Sequence, residues 1–171
     1  MSEPKTAAPI DETSDDENED SQRDKYLTFR IANEDFAIDI GRVVEIVGIQ
    51  AVTVVPDMPD FVRGIINLRG RVIPAFDVRA RFGMQSREYD ARTCMIVVDL
   101  KGTSVALIVD TVNEVLSIPA DKVSPPPSVQ GGRSSRFVRA MGRVGEVVKI
   151  ILDLDRLLLD GEQQALTEMA V

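Results

Sequence analysis

From Tyr26 onward the apolar residues of this chain come in short runs rich in Val and Ile, and each run is ended by Gly, Pro, Asn, Asp or a charged pair. Runs this short fall below the roughly 10 to 12 residues of a packed helix, and β-branched side chains favour the pleated strand. Tyr26, Leu27, Phe29 and Ile31 alternate up to Asn33–Asp35, and Phe36, Ile38 and Ile40 return. After Gly41 comes Val43–Val47; then Gly64–Leu68 and Val72–Val78 fold about Gly70. Cys94–Leu100 and Thr103–Val109 turn at Lys101–Gly102, Val112–Ile118 follows, and Phe137–Arg143 pairs with Glu146–Asp153 about Gly145. Turns spaced about every 8 to 12 residues among some nine or ten strands predict an all-β barrel or sandwich rather than a βαβ fold. Short helical turns are expected at Pro59–Arg63, at Val78–Phe82 closed by Gly83, and at Leu154–Leu159 capped by Asp153. Val147, Val148, Ile150, Ile151 and Leu152 read as core, as does Cys94. Met84–Arg92 reads as an exposed connector, and Ser124–Ser135, led by Pro125–Pro127, as an extended one.

Charge divides the 171 residues unevenly. Met1–Asp24 holds nine acids against Lys5 and Arg23, which is −7 of the formal −8, so the remainder carries a net −1. The first 24 residues hold too little large apolar surface to offset the entropy of ordering, and they read as a disordered tail. A near-neutral folded part has no global field for nucleic acid or an anionic membrane. The arginines between Arg63 and Arg92 are interleaved with Asp and Glu and have few aromatic neighbours, a poor platform for single strands. There is no histidine and one cysteine, Cys94, which removes Cys/His zinc sites, internal disulfides and His-based acid/base catalysis. The opening residues lack the basic and apolar regions of a secretion signal, and no apolar run approaches the roughly 20 residues of a membrane span. A cytoplasmic protein is expected.

Catalysis by carboxylates has one opening, since Asp39, Asp77, Asp99, Asp110 and Asp153 all end apolar strands, where acids can pair or hold Mg²⁺. None is accompanied by a phosphate loop, a nucleophile elbow or a histidine, and strand-end aspartates are ordinarily turn formers. Recognition has a better candidate in the hairpin about Gly70. Arg69 sits at or beside its turn, where two buried strands would hold a five-donor guanidinium with little entropy left to lose on binding. Glu45, alone among Val43, Val44, Ile46 and Val47, must point outward or meet a cation, because burying it unpaired costs several kcal/mol.

The stretch GIINLRGRVIPAFDVRARFG, with Gly64, Asn67, Leu68, Arg69, Gly70, Pro74, Asp77 and Arg79, resembles the central motif of the CheW family of adaptor proteins that couple chemoreceptors to the histidine kinase CheA. IDIGRVVEI and VALIVDTVNEVLSI resemble the flanking family segments, the latter through Asp110, Asn113, Glu114, Val115 and Leu116, and the likeness runs from about Tyr26 to Leu159. The resemblance implies two packed five-stranded SH3-like barrels within residues 25–160, with strands exchanged near the chain ends and a tail helix over 161–171. It implies an adaptor without catalysis, cofactor or metal, freestanding and largely monomeric when free, cytoplasmic and recruited to membrane-bound receptor arrays. Its partners would be the cytoplasmic signalling tip of a chemoreceptor and the regulatory domain of CheA, with no nucleic acid and no membrane insertion. Val43, Glu45, Gly64, Arg69 and Gly70 would face the receptor. Thr53, Val54, Asp57 and Met58, with exposed apolar positions of the first hairpin, would face the kinase. The alternatives are a coupling protein of a system that does not control swimming and, more distantly, a small nucleic-acid-binding barrel or an Asp-dependent enzyme.

Overall fold

The computed structural model describes residues 22–126 and 135–159. The acidic segment 1–21, residues 127–134 of the proline-led connector and the expected tail helix lie outside the described residues. Two sheets account for the fold. β1 (Lys25–Ile31), β2 (Glu34–Asp39), β8 (Thr111–Ser117), β9 (Val123–Ser124), β10 (Val138–Val144) and β11 (Val147–Leu152) form one, in the order β8-β1-β2-β11-β10-β9. β3 (Val43–Gly48), β4 (Val62–Leu68), β5 (Arg71–Asp77), β6 (Cys94–Leu100) and β7 (Thr103–Val109) form the other, in the order β3-β6-β7-β5-β4. The first hairpin is thus built into the sheet of the C-terminal strands, and the second sheet is inserted between them.

Each sheet rolls up in the same way, because its two outermost strands are consecutive in the chain. After β3 the backbone returns to β4, where Thr53 N–H donates to Ile65 O at 2.8 Å and Ile65 N–H to Thr53 O at 2.9 Å. β8 reaches β9 through a 3-10 turn at Ala120–Lys122, and β9 pairs with β10. Two small barrels result, and closure removes the exposed edges that open sheets must otherwise protect.

The strands read as continuous apolar runs because both faces are covered. On β6, Ile96, Val98 and Leu100 join a cluster with Leu27, Phe29, Phe36 and Ile38 of the other sheet, while Met95 and Val97 turn into their own barrel with Ile66, Ile73, Ala75, Ala106 and Ile108. On β2, Phe36 and Ile38 face the shared cluster and Ala37 faces its own barrel, with Tyr26, Ala140 and Ile151. The period of two therefore sorts residues between a barrel interior and the layer between barrels. The aromatic rings belong mostly to that layer: Phe29, Phe36, Phe61, Phe76, Phe82 and Phe137 all lie in it.

Several expectations need correction. Pro59–Arg63 forms no helix; Val62 N–H donates to Pro59 O at 2.9 Å in a single turn, and Val62 then pairs with Phe76 in the ladder. Pairing with β5 outweighs the local preference that Pro59 confers. Val147 and Val148 are about half exposed, and only Ile151 and Leu152 of that strand are buried, because the strand's first residues stand in the turn beyond the shared layer. The first hairpin offers no exposed apolar residue to a partner: Tyr26, Leu27, Phe29, Ile31, Phe36 and Ile38 are all buried, since β1 and β2 are interior strands. Cys94 is half-buried at the start of β6, its Sγ at 3.2 Å from the Arg92 carbonyl. The turns α1 (Val78–Arg81) and α2 (Leu154–Leu159) form where expected, with Asp77 accepting from Ala80 N–H and Asp153 from Arg156 N–H.

Candidate functional site

The hairpin of β4 and β5 has a two-residue tip. Leu68 lies opposite Arg71, and both residues between them have positive φ, 53° at Arg69 and 83° at Gly70. That is the backbone of a type I′ turn, whose twist suits antiparallel strands. Glycine meets this demand freely, whereas an L-residue such as arginine pays for it in sterics. Asn67 holds the turn, its side-chain carbonyl accepting from Gly70 N–H at 2.9 Å.

From this tip the guanidinium reaches Glu45 on β3. Nη2 donates to Oε2 at 2.8 Å and Nη1 to Oε1 at 3.3 Å, a parallel fork. The Arg69 side chain is still 74% exposed, while that of Glu45 is 24% exposed. Glu45 can stand there because β3 is bulged between Val43 and Glu45 against β6. Val43 turns half inward onto the shared core, and the exposed apolar residues of β3 are Val44 and Ile46. No alternation of apolar and polar residues along Val43–Val47 marks those two in the sequence, because the bulge against β6 decides which of them face outward.

Gly64 works on a different contact. Its φ is 148°, and a Cβ there would lie 2.0 Å from the Thr53 carbonyl oxygen. Only glycine lets the returning chain pair with β4, so Gly64 positions Thr53. In the loop that follows, Val54 is 77% exposed, Asp57 is exposed in a turn with φ of 61°, and Met58 is half-buried against the shared core. The structure thus brings together Glu45, Arg69 and Gly70 in one group and Gly64 and Thr53 in another, both resting on β4.

The strand-end aspartates are mostly engaged in building the fold. Asp77 is buried, takes Arg63 Nε at 3.2 Å and the Tyr89 hydroxyl at 2.8 Å, and caps α1. Burial, reinforced by that bond to Asp77, pushes the Tyr89 phenol up to about 12, so it stays a donor. Asp110 accepts from Arg79, from Arg87 and from Ala32 N–H, tying α1, the exposed connector and the first hairpin to one carboxylate. Burial works to raise its pKa, but these donors and the Arg79 and Arg87 charges hold it below the ordinary 3.8. Asp39 accepts from Gly41 N–H and Asp153 caps α2. Among the described residues no three acids, cysteines or histidines are grouped as a metal site, and no helix is long and apolar enough to cross a membrane.

A family model described as the CheW-like domain matches residues 25–162. The chemotaxis protein CheW of Klebsiella aerogenes is 35% identical over 144 residues, 84% of this chain and 86% of that one. A probable chemotaxis protein CheW of Rhizobium etli is 32% identical over 141 residues, 82% of this chain and 91% of its own. Among solved structures, the scaffolding protein TtCheW of Thermoanaerobacter tengcongensis superposes with a TM-score of 0.74 at 35% identity, covering 80% of this chain and 92% of that one. With the two closed barrels and the charged hairpin tip in place, these likenesses settle the kinship: the chain belongs to the CheW-like domain family.

Proposed function

We propose that this chain is a chemotaxis adaptor that couples chemoreceptors to the histidine kinase CheA, works without catalysis, and recognises the receptor's cytoplasmic signalling tip through Arg69. The observation that carries the choice of residue is the turn itself. A hairpin of this type accepts Asn, Asp or Gly at its first tip position without strain, and here it carries a non-glycine residue of positive φ whose guanidinium is clamped to Glu45 yet mostly open to solvent. An exposed ion pair contributes little to stability, on the order of 0 to 1 kcal/mol, so stability alone is a weak reason for it. A pre-ordered, forked cation with three N–H groups left over is what a protein contact rewards.

Val43, Glu45, Gly64 and Gly70 complete the receptor side: Glu45 orients the guanidinium, the glycines shape the backbone, and Val43 seats β3, leaving Val44 and Ile46 to supply apolar contact. The loop of Thr53, Val54, Asp57 and Met58 faces the kinase's regulatory domain, with Val54 the outward apolar anchor and Met58 its inward foot. Residues 25–160 act as one unit, in the cytoplasm, recruited to membrane-bound receptor arrays, and largely monomeric when free. Such an adaptor alters kinase output only if its two faces bind active and inactive arrangements unequally.

The test is reconstitution. A receptor signalling-tip fragment, the kinase and this protein are mixed, and ternary assembly is measured together with kinase autophosphorylation. Assembly with a changed autophosphorylation rate is expected; binding to neither partner overturns the reading. Arg69→Ala weakening the receptor contact and Val54→Asp weakening the kinase contact assign the two faces.

A further inference from the structure

Nine of the chain's acidic groups precede Lys25, and five of them, Asp15, Asp16, Glu17, Glu19 and Asp20, fall within six positions. The fold fixes where this segment is tethered. Ile118 N–H donates to Asp24 O at 2.8 Å, and Tyr26 lies opposite Asp39, the last residue of β2. Three residues on, Arg42 donates from Nε to the Asp99 carbonyl at 3.0 Å, and Asp99 faces Ser104 across the β6–β7 hairpin. Ser104 Oγ in turn bonds Arg71 Nη2 at 3.0 Å. Asp24, through which the acidic segment is joined, therefore lies at the end of the molecule that carries the tips Arg69–Gly70–Arg71 and Lys101–Gly102.

Charge distinguishes those tips from the cleft beside the tether. Arg69, Arg71 and Lys101 are exposed, and among the described residues only Arg69 meets a carboxylate. Glu45 and Asp99 leave a local net charge of +1. Nearer the tether, a cleft of about 260 Å³ holds Asp39, Asp153 and Asp155 against Arg42 and Arg139, and Arg156 lies 3.8 Å from Asp153, so that cleft is neutral, while Arg23 and Lys25 against Asp24 leave +1 at the tether itself. Five residues from Asp20 to Lys25 reach about 17 Å, and 24 residues about 80 Å. A tethered segment is present at an effective concentration on the order of millimolar, enough for weak charge contacts to be populated.

We propose that the acidic segment around Asp15–Asp20 docks in cis on the Arg69, Arg71 and Lys101 tips and competes with the partner that Arg69 recognises. The docking stands on charge and placement; its competitive effect rests on the reading of Arg69 given above. Held on the tips nine-tenths of the time, the segment would weaken a competing partner about tenfold. Salt would relieve it, because exposed charges are screened within about 10 Å at 0.1 M.

The docking is tested on the full chain without any partner. A nitroxide is placed at Ser14→Cys in a Cys94→Ser background, and paramagnetic broadening is read on backbone amides. Selective broadening of Gly70, Arg71 and Gly102 is expected, independent of protein concentration and removed by salt at roughly 0.5 M. It is also expected to vanish in R71E/K101E and, separately, when Asp15, Asp16, Glu17, Glu19 and Asp20 are replaced by Asn or Gln, changes that touch no described residue. Broadening of no barrel amide, of amides elsewhere, or only at high concentration overturns the proposal. A receptor-tip fragment then reads the consequence: the neutralised segment should bind it about tenfold more tightly. Docking without that gain would sink the competition and leave the contact itself standing.

Discussion

At the scale of single residues, Arg69 can be separated from its structural role because its two contributions have opposite signs. Arg69→Ala should cost about 2 kcal/mol of receptor affinity, roughly thirtyfold in Kd, with the melting temperature almost unchanged, since the lost ion pair is exposed. Arg69→Asn sharpens the point. Asparagine tolerates the left-handed region better than arginine, so this variant should be at least as stable as the parent in thermal unfolding and still bind as weakly as the alanine variant. A stable Arg69→Asn protein with full affinity would mean that the turn, and not the guanidinium, is recognised. Asp110 and Asp35 give a pH prediction of definite sign. Both have pKa values below the ordinary 3.8: for Asp110 the Arg79, Ala32 and Arg87 contacts overcome burial, and for Asp35 the Lys149 bond comes first, against burial and with help from Arg30. A lowered folded pKa stabilises above the unfolded value and loses that contribution as pH falls through the lowered one. Urea midpoints should therefore drop below about pH 4, and Asp110→Asn should lower the midpoint at pH 7 while flattening that acid limb. Arg69 and Glu45 were each legible as a local anomaly, an arginine beside a glycine and a lone carboxylate in an apolar run, whereas their pairing was implied only by the family resemblance. Which of Val43, Val44 and Ile46 faced outward was not legible, since the bulge that decides it depends on β6, some fifty positions away.

At the scale of elements, the hairpins were legible and their exposure was not. Lys101–Gly102 and Arg69–Gly70 announce tight turns through glycine and chain length alone, and both pairs have positive φ. Burial depends instead on what lies across the second face. Val147 and Val148 carry the same apolar signal as Ile151 and Leu152, yet only the latter two are buried, Ile151 inside its own barrel and Leu152 in the shared layer. Pro59 likewise promised a helix, and long-range pairing of Val62 with Phe76 decided otherwise. Gly64 shows how far such pairing governs the candidate surface. A methyl group placed 2.0 Å from the Thr53 carbonyl must push the returning chain off β4 and break two backbone hydrogen bonds. Gly64→Ala should destabilise by roughly 2 kcal/mol, from strain at positive φ together with the lost bridge. It should also raise hydrogen exchange at Thr53 and Ile65 and weaken kinase binding before receptor binding. Unchanged protection at Thr53 would show that closure of this barrel does not depend on the glycine.

At the scale of the whole molecule, the two barrels are better regarded as one cooperative body than as two joined domains. The largest buried cluster takes Leu27, Phe29 and Ile38 from one sheet and Phe76, Ile96, Val98 and Leu107 from the other, whereas the clusters inside each barrel are small and rich in alanine. Arg81 fastens the same layer, its guanidinium 4.5 Å from the Phe61 ring and 4.9 Å from that of Phe137 while Nε bonds the Leu157 carbonyl at 2.9 Å. A joint that must pass conformational bias between two faces needs this construction, because discrete repacking in a shared core carries strain where a flexible linker would absorb it. The claim has a direct test in a fragment of residues 40–110, which contains the complete five-stranded sheet and its turns. Cut from the remainder, the sheet would expose Phe76, Ile96, Val98, Val105 and Leu107, at a cost of about 1.5 to 3 kcal/mol for each fully buried side chain, more than a small barrel's margin of roughly 5 kcal/mol can absorb. The fragment should therefore show no dispersed amide spectrum and no cooperative melt, while the full chain unfolds in one transition seen alike by far-UV circular dichroism and by amides of either sheet. A fragment that folds and melts cooperatively by itself would make the barrels separate domains, and the coupling between the two partner faces would then have to run through the segments that join them.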